Sequence, residues 1–509
     1  MSVAATVPLP AVPRLAAVRH LVRARQEFQA LEAWLMREES RQRPLHDVER
    51  EQERRGRESQ RLLLEAHVAQ RGTGDVGPTV EVGTAASPGE RILHPHRRRD
   101  PGHPQTIVGE ITVERTGYGR PGAAAGHPLD DQRQLPRRSF SYELQRRLVQ
   151  AAVQGPFDEA TTRLAAATGV VVPKRSAALL VHEAAQDFEA FYQTRLPPPW
   201  AETGPILVAA LDGTGVPMVK AGPTPRVVRR GRGEKVQQNK MAVGATVYTQ
   251  QPRVRTPQAV FESLFGLGPP PLPLAEEPSR PRERPEYKRG WASLVQGKMG
   301  VMGEVVPALQ RRDPTRHQHW VVLTDGERAV QPSVTRRLRG VPLVLDFQHV
   351  LATLWSAVYA FHEAGSPKAL AWVQERAWRL LHGEVSLVVQ GMRLSARKRQ
   401  LRGQKRKVVD AGAGYFYRNR GRRRDDEYLR QGWPIATGVV EGACNNLVKD
   451  RMERAGMRWT PAMAEAMLKL RAVYLRADFE AYWTFHLTRE HERLHPSGAW
   501  RPAPIIEEK

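Results

Sequence analysis

Three apolar runs in this 509-residue chain each lead into an aspartate: Ile206–Leu211 into Asp212, Trp320–Thr324 into Asp325, and Val341–Leu345 into Asp346. Short, continuous apolar runs of this kind fit buried strands of a partly parallel sheet. In such sheets ligands gather at the carboxyl ends of the strands, so acids on neighbouring ends converge on one pocket. Each aspartate alone has a plain structural use, since Asp212-Gly213 and Asp325-Gly326 both suit turns. A later acid makes the set chemical. Glu441 lies in Gly438-Val-Val-Glu-Gly-Ala-Cys444, where small residues let a helix lie close against a sheet, and helical spacing aligns Glu441, Cys444, Asn445 and Val448. A carboxylate among such neighbours is costly to bury unpaired, and a metal ion would remove that cost.

Three carboxylates so placed suit two divalent cations about 3.5–4 Å apart. Carboxylate oxygens are hard donors, so the expected cofactors are two Mg²⁺ or Mn²⁺ ions. One ion would activate water or a DNA 3′-hydroxyl, and the other would stabilise the leaving oxygen of an in-line phosphoryl displacement. The middle ligand is either Asp325 or Asp346. His349, one turn beyond Asp346, is placed to orient a carboxylate or to touch a phosphate. Two other motifs are decoys. His491-Glu-Arg-Leu-His495 fits the zinc-protease pattern, but Pro496 follows at once and no downstream helix offers a third ligand. Gly72-Thr-Gly-Asp-Val-Gly77 has dinucleotide-fingerprint spacing, yet it follows a helix and runs into Pro78.

Composition points to a polyanionic partner. Lys and Arg number 78 against 54 Asp and Glu, a formal net charge of +24, which draws nucleic acid first. No stretch approaches the ~18 apolar residues of a membrane span, and the first residues lack the apolar centre of a signal peptide. Cys444 is the only cysteine, which excludes a disulfide framework and Cys-ligated zinc fingers. A reducing cytoplasm, at the nucleoid, is the expected location. The basic residues fall in two patterns. Residues 393–424 carry thirteen Lys or Arg against the single Asp410, among them Arg397, Lys398, Arg399, Lys405, Arg406 and Lys407; such unpatterned charge suits backbone phosphates. By contrast, Phe157–Ala167, a turn at Gly169 and Pro173–Ala185, opening with Lys174 and Arg175, resemble a helix-turn-helix. An ordinary helical hairpin is the alternative.

At ~150 residues per domain the length suggests roughly three domains. Residues 1–71 read as a helical region with Phe28, Leu31 and Leu35 on one face, and 72–105 as a Gly-, Pro- and Arg-rich linker. Residues 106–196 combine a strand or hairpin with the helix-turn-helix-like region. An α/β core begins over 200–350, with a strand at Met241–Tyr248 and helices at Trp291–Leu309 and Arg328–Leu338. A basic helical insertion follows over 351–434. The core resumes over 435–490 with the glutamate helix and C-terminal helices, and 491–509 is a tail.

With these motifs in order, the chain resembles the ISKra-type family of bacterial insertion-sequence transposases, relatives of the Mutator-like DDE enzymes. The resemblance rests on Leu211-Asp-Gly-Thr-Gly-Val-Pro217, Thr324-Asp-Gly-Glu-Arg-Ala329, Leu345-Asp-Phe-Gln-His-Val350, and Gly438 through Glu453 with Gly456-Met-Arg-Trp459. It implies a ribonuclease-H-like α/β core with a helical insertion before the glutamate, preceded by mainly helical DNA-binding regions. It also implies a metal-binding triad of Asp212, Asp325 and Glu441, with Asp346 and His349 beside it, and Lys449 and Arg451 near DNA. The expected partners are double-stranded DNA (terminal inverted repeats and target) and further copies of the chain, as a homodimer or higher homo-oligomer. The family's basic residue seven positions after the glutamate falls here on Val448, and Lys449 sits about 80° further round an ideal helix. Two other functions share these acids: a ribonuclease-H-like nuclease or resolvase, and a catalytically inactive DNA-binding protein of transposase descent.

Overall fold

The computed structural model describes residues 13–84, 87–122, 125–219, 239–267, 284–326, 336–494 and 500–502. Two compact units result, one of Met1–Phe191 with Asp478–Lys509, the other of Tyr192–Ala477.

The second unit is built on a mixed five-stranded sheet. Its strands are β1 (Ile206–Pro217), β2 (Asn239–Gln250), β3 (Glu286–Ser293), β4 (His319–Thr324) and β5 (Leu343–Leu345). The order is β5-β4-β1-β2-β3. β1, β2 and β3 form an antiparallel meander, and β4 and β5 extend it in parallel from β1. Ile206–Leu211 is buried along its whole length, as a strand covered on both faces must be. Trp291, expected in a helix, instead lies in edge strand β3; α1 begins only at Gly297 and runs to Arg312. The predicted helix Arg328–Leu338 lies largely outside the described residues.

The stretch after β5 is helical: α2 (Phe347–Val358), α3 (Pro367–Leu381), α4 (Val385–Lys398) and α5 (Gly403–Arg418). These helices do not form a separate body. Val350, Leu354, Val373, Leu380, Met392, Val409 and Phe416 share one continuous core with Val208, Ala210, Val321 and Leu323 of the sheet. Arg423, counted among the basic residues of this segment, is fully buried and lies 4.8 Å over the Phe347 ring. The unit closes with α6 (Gly438–Cys444) and α7 (Pro461–Leu475).

In the first unit, helices Pro13–Leu35 and Leu45–Ala69 pack together. Residues 72–105 are not the expected linker. Val80–Thr84 pairs antiparallel with Ser87–His94 and with Trp500–Pro502, so part of the expected tail is also strand. The Gly72–Gly77 loop is held by the buried Tyr118, whose hydroxyl donates to the Gly77 carbonyl and accepts from Val76 N. Residues 106–116 contribute the small hairpin of Gln105–Thr106 and Gly109–Glu110, a bridge from Val113 to Gly102, and the first residue of strand Thr116–Gly119, which pairs antiparallel with strand His96–Arg99. Helices Tyr142–Gln154, Phe157–Thr168 and Lys174–Ala184 enclose Leu144, Leu148, Leu164, Val172, Ala177 and Leu180. Gly169, at φ 73°, makes the turn between the last two.

Helix Phe479–Leu494 belongs to this unit rather than to the sheet unit, where sequence placed it. The buried Asp187 explains the attachment. It accepts from Arg493 Nη1 and Nη2 at 2.8 and 2.7 Å, and His486 Nδ1 lies 2.7 Å from it. Burial pushes the Asp187 carboxyl up, but Arg493 and His486 outweigh it and hold it at about 2. A depressed carboxylate contributes stability that is full above the unfolded value near 3.8 and is lost as pH falls through about 2. The shift corresponds to about 2 kcal/mol. Asp187→Asn is therefore expected to reduce hydrogen-exchange protection of Phe479–Leu494 at neutral pH. The gap from wild type should close as pH approaches 2; a gap independent of pH would refute the assignment.

Candidate active site

Sheet register brings the three aspartates to one end of the parallel strands. Ala210 of β1 is level with Leu323 of β4, and Thr324 with Leu345 of β5, so Asp212, Asp325 and Asp346 come at matching levels on adjacent chains. Neighbouring strands lie about 4.8 Å apart, a spacing at which carboxylates can share cations. Asp212 does not end its strand as expected. Parallel pairing to β4 stops at Ala210, but antiparallel pairing to β2 continues to Pro217. Asp212 is partly exposed, and its Oδ1 accepts from Gly213 N at 2.7 Å. Asp325 Oδ2 receives Lys298 Nζ of α1 at 3.0 Å, and Tyr415 of α5 donates to the Asp325 carbonyl at 2.9 Å. Gly326 has φ 80°, and a Cβ there would lie 2.6 Å from Leu345 Cδ1, so this turn needs glycine.

Asp346 has a different environment. It is fully buried and caps α2, accepting from His349 N at 3.1 Å, while Thr437 N donates to its other oxygen at 2.8 Å. His349 Nδ1 lies 2.5 Å from Oδ2. Burial raises this carboxyl, but the His349 and backbone hydrogen bonds more than compensate and leave it below its usual range. In turn, the hydrogen bond to Asp346 raises the His349 imidazole, burial opposes this, and the negative charges of Asp346, Asp325 and Asp212 add to the rise. His349 thus senses all three aspartates.

Glu441 stands in the first turn of α6, where Thr437 Oγ1 donates to Oε1 at 3.2 Å. Small residues let α6 approach the sheet closely. A Cβ on Gly244, the β2 residue opposite Asp212, would lie 2.5 Å from Cys444 Sγ. Burial, with the charge of Asp212 next, pushes the Cys444 thiol up to about 12, so it remains protonated. Among the described residues, Asp346, His349 and Glu441 offer ligand atoms within 4.8 Å of one another. Asp346 has both oxygens committed to nitrogen donors, whereas Asp212, Asp325 and Glu441 are partly exposed. Hard oxygen donors with an ammonium already resting on Asp325 fit a cation site; Lys298 stands in for the charge a metal would bring.

The helix after Glu441 is not regular. Asn445–Lys449 is a π-turn, in which Asp450 N donates to Asn445 O. The extra residue per turn brings Lys449 back beneath Cys444, whose thiol feels its charge. Ideal-helix spacing had turned Lys449 away. Arg451 corrects a second expectation: it is fully buried, 4.8 Å over the Trp459 ring, with Nη1 3.1 Å from Met457 Sδ. It is a packing residue, not a surface contact for DNA. Arg397, Lys398, Arg399, Lys405 and Lys407 are exposed and Arg406 half-buried, all around the tip of the α4–α5 hairpin. Two of these are tethered, Arg399 to the Phe361 carbonyl at 2.7 Å and Arg406 to Asp410 at 2.7 Å. In the first unit, Arg175 is exposed, and Lys174 is exposed but pairs with Asp158 at 2.6 Å. Lys298, Tyr415 and Thr437 were not legible as site residues, because only tertiary contacts bring them to the acids.

No family profile matches the sequence, and no curated protein does. A solved structure, the Drosophila P element transposase strand transfer complex, is similar at 9% identity, covering 71% of this chain and 85% of that chain with a TM-score of 0.23. A superposition that loose carries no argument about fold or activity.

The contact between Gly244 and Cys444 yields a test of how α6 is seated. Gly244→Ala is expected to destabilise the sheet unit by about 1–3 kcal/mol through overpacking. Adding Cys444→Ala should recover most of the loss in thermal unfolding. No recovery in the double variant would mean that α6 does not rest on β2 at this point.

Proposed function

We propose that this chain is a DNA transposase of the DDE type, resembling the ISKra family, that cleaves and joins DNA ends with divalent metal ions. The observation that carries the reading is the register of β1, β4 and β5, which aligns Asp212, Asp325 and Asp346 at the carboxyl-end side of the sheet, with Glu441 beside Asp346 and His349. The meander extended by two parallel strands supports a ribonuclease-H-like core. Because Asp346 is committed to a cap and to His349, the ligand set is Asp212, Asp325 and Glu441, with Asp346 as a positioning residue. Two Mg²⁺ or Mn²⁺ ions held there would activate the attacking hydroxyl and stabilise the leaving oxygen. His349, whose imidazole is raised by its hydrogen bond to Asp346, stands where it can contact the scissile phosphate. The α4–α5 tip and Lys449 hold backbone phosphates, and the helix Lys174–Ala184 reads the terminal repeat. Assembly of at least two copies on paired DNA ends completes the proposal. Among the described residues, no helix is long and apolar enough to cross a membrane.

A second reading has its own observation. The Lys298–Asp325 pair neutralises a proposed ligand, as a catalytically inactive DNA-binding descendant would allow.

Cleavage of a labelled repeat-end DNA in Mg²⁺, run beside a mobility shift, decides between them. Asp212→Ala, Asp325→Ala and Glu441→Ala are each expected to lower cleavage by more than about a hundredfold while leaving binding nearly unchanged. Asp346→Ala should retain measurable activity. If Asp325→Ala cuts and Asp346→Ala does not, the middle ligand is Asp346; wild-type binding without cleavage or Mn²⁺ uptake favours the inactive reading. Binding has a separate signature. Replacing Arg397, Lys398, Arg399, Lys405, Arg406 and Lys407 by Ala should flatten the salt dependence by about 0.9 per lost phosphate contact, for all sequences alike. Changing Lys174 and Arg175 should instead narrow the gap between repeat and random DNA.

A further inference from the structure

Beside edge strand β3, a cavity of about 320 Å³ is lined by Arg195, Arg289, Arg311, Arg312 and Arg476 together with Tyr192. Among the described residues, no carboxylate lines it. The register places it away from the acids: Ala292 is opposite Gly244, which faces Asp212, whereas Arg289 lies further back along β3 opposite Val247. Arg311 and Arg312 end α1, and Arg476 caps α7, so helix dipoles account for part of this cationic gathering. They do not account for Arg289, which sits in a strand.

Each buried member has one nitrogen with no hydrogen-bond acceptor. Arg312 is only 9% exposed; one of its amino nitrogens donates to the Tyr287 carbonyl, but its Nη1 is buried with no protein partner. Arg289 Nε is in the same position, with its guanidinium 4.6 Å from the Tyr192 ring and 4.9 Å from the Trp291 ring. Burial, followed by repulsion from neighbouring arginines, pushes Arg289 down to about 10 and Arg312 down to about 9. Tyr287, at the same cavity, is held at φ 48° beside a β-bulge, a strained position of the kind that clusters at binding sites. Uncompensated buried charge of this sort is costly unless a counter-charge enters.

We propose that this cavity binds a phosphate-bearing polyanion, with Arg289 and Arg312 gripping it from the buried side and Arg195 and Arg311 from the exposed side. Guanidinium groups present paired N–H donors that match phosphate oxygens two at a time. The unsatisfied nitrogens of Arg289 and Arg312, with Arg311 beside them, suit a ligand with more than one negative charge, which a monocarboxylate does not bring. The phosphates come either from a free oligophosphate or from a nucleic-acid backbone.

The test uses the full chain and sodium tripolyphosphate, with NaCl at equal ionic strength as the control. Calorimetry should show saturable binding, and thermal unfolding a rise in midpoint that NaCl does not reproduce. Arg195→Gln with Arg311→Gln, both at exposed positions, should weaken binding about tenfold or more. Arg312→Gln should abolish it; should that variant fail to fold, the exposed pair carries the test. A short DNA duplex distinguishes the sources. If the exposed-pair variant also loses duplex affinity and tripolyphosphate competes with duplex, the site takes backbone phosphate; if duplex binding is unchanged, it takes a free oligophosphate. No binding above the NaCl control, or full binding by the exposed-pair variant, overturns the proposal. The readout is binding alone, so it is independent of whether the carboxylate site cleaves DNA.

Discussion

The buried carboxylate of Asp346 ties together three pieces of chain that sequence keeps far apart. It follows β5, caps α2 through His349 N, and accepts from Thr437 N, some ninety residues later. Thr437 then donates to Glu441. One wholly buried group thus fixes where the sheet ends, how His349 is oriented and where the glutamate helix begins. An isolated buried carboxylate would be prohibitively costly, but hydrogen bonds to the charged form reverse that balance. The long helical stretch between Asp346 and Thr437 is thus closed at its base by one group while its helices pack into the core of the sheet.

Close approach of α6 is the second requirement. Gly244 leaves room for Cys444 Sγ, and the glycine and alanine beside Glu441 keep the helix slim. Packing there has little slack, since interiors are as dense as organic crystals. Cys444 serves this site through its volume: burial keeps its thiol protonated, and it fills the space between α6 and the strand that bears Asp212.

Much of this was legible in sequence, for reasons that also explain what was not. Apolar runs ending in acids are local signals: β4 covers the run Trp320–Thr324, and β5 takes the last three residues of Val341–Leu345. β1 misled because the run Ile206–Leu211 reports only double-sided burial; past Leu211 the strand continues with one neighbour and a polar sequence. Lys449 was misplaced because periodicity assumes an α-helix, and a π-turn leaves no compositional trace. Arg451 read as a surface cation because side-chain charge predicts exposure, yet an indole face and a thioether sulfur accommodate it. The 72–105 segment read as a linker from its glycines and prolines, while its strands pair with one another and with residues 116–119 and 500–502.

Charge placement gives the sheet unit its chemical asymmetry. Asp212, Asp325, Asp346 and Glu441 would repel one another if left alone at one end of the sheet. Two neighbours offset that repulsion: Lys298 rests on Asp325, and the hydrogen bond to Asp346 and the nearby carboxylates raise the His349 imidazole. These partners differ in what they permit. Asp346 and His349 are locked by buried hydrogen bonds, so this pair persists whatever binds. Lys298 is held on a flexible side chain through an ammonium, and a doubly charged ion can outcompete it for the same oxygen. If divalent ions bind as proposed, only the lysine would have to move for the acid cluster to receive them.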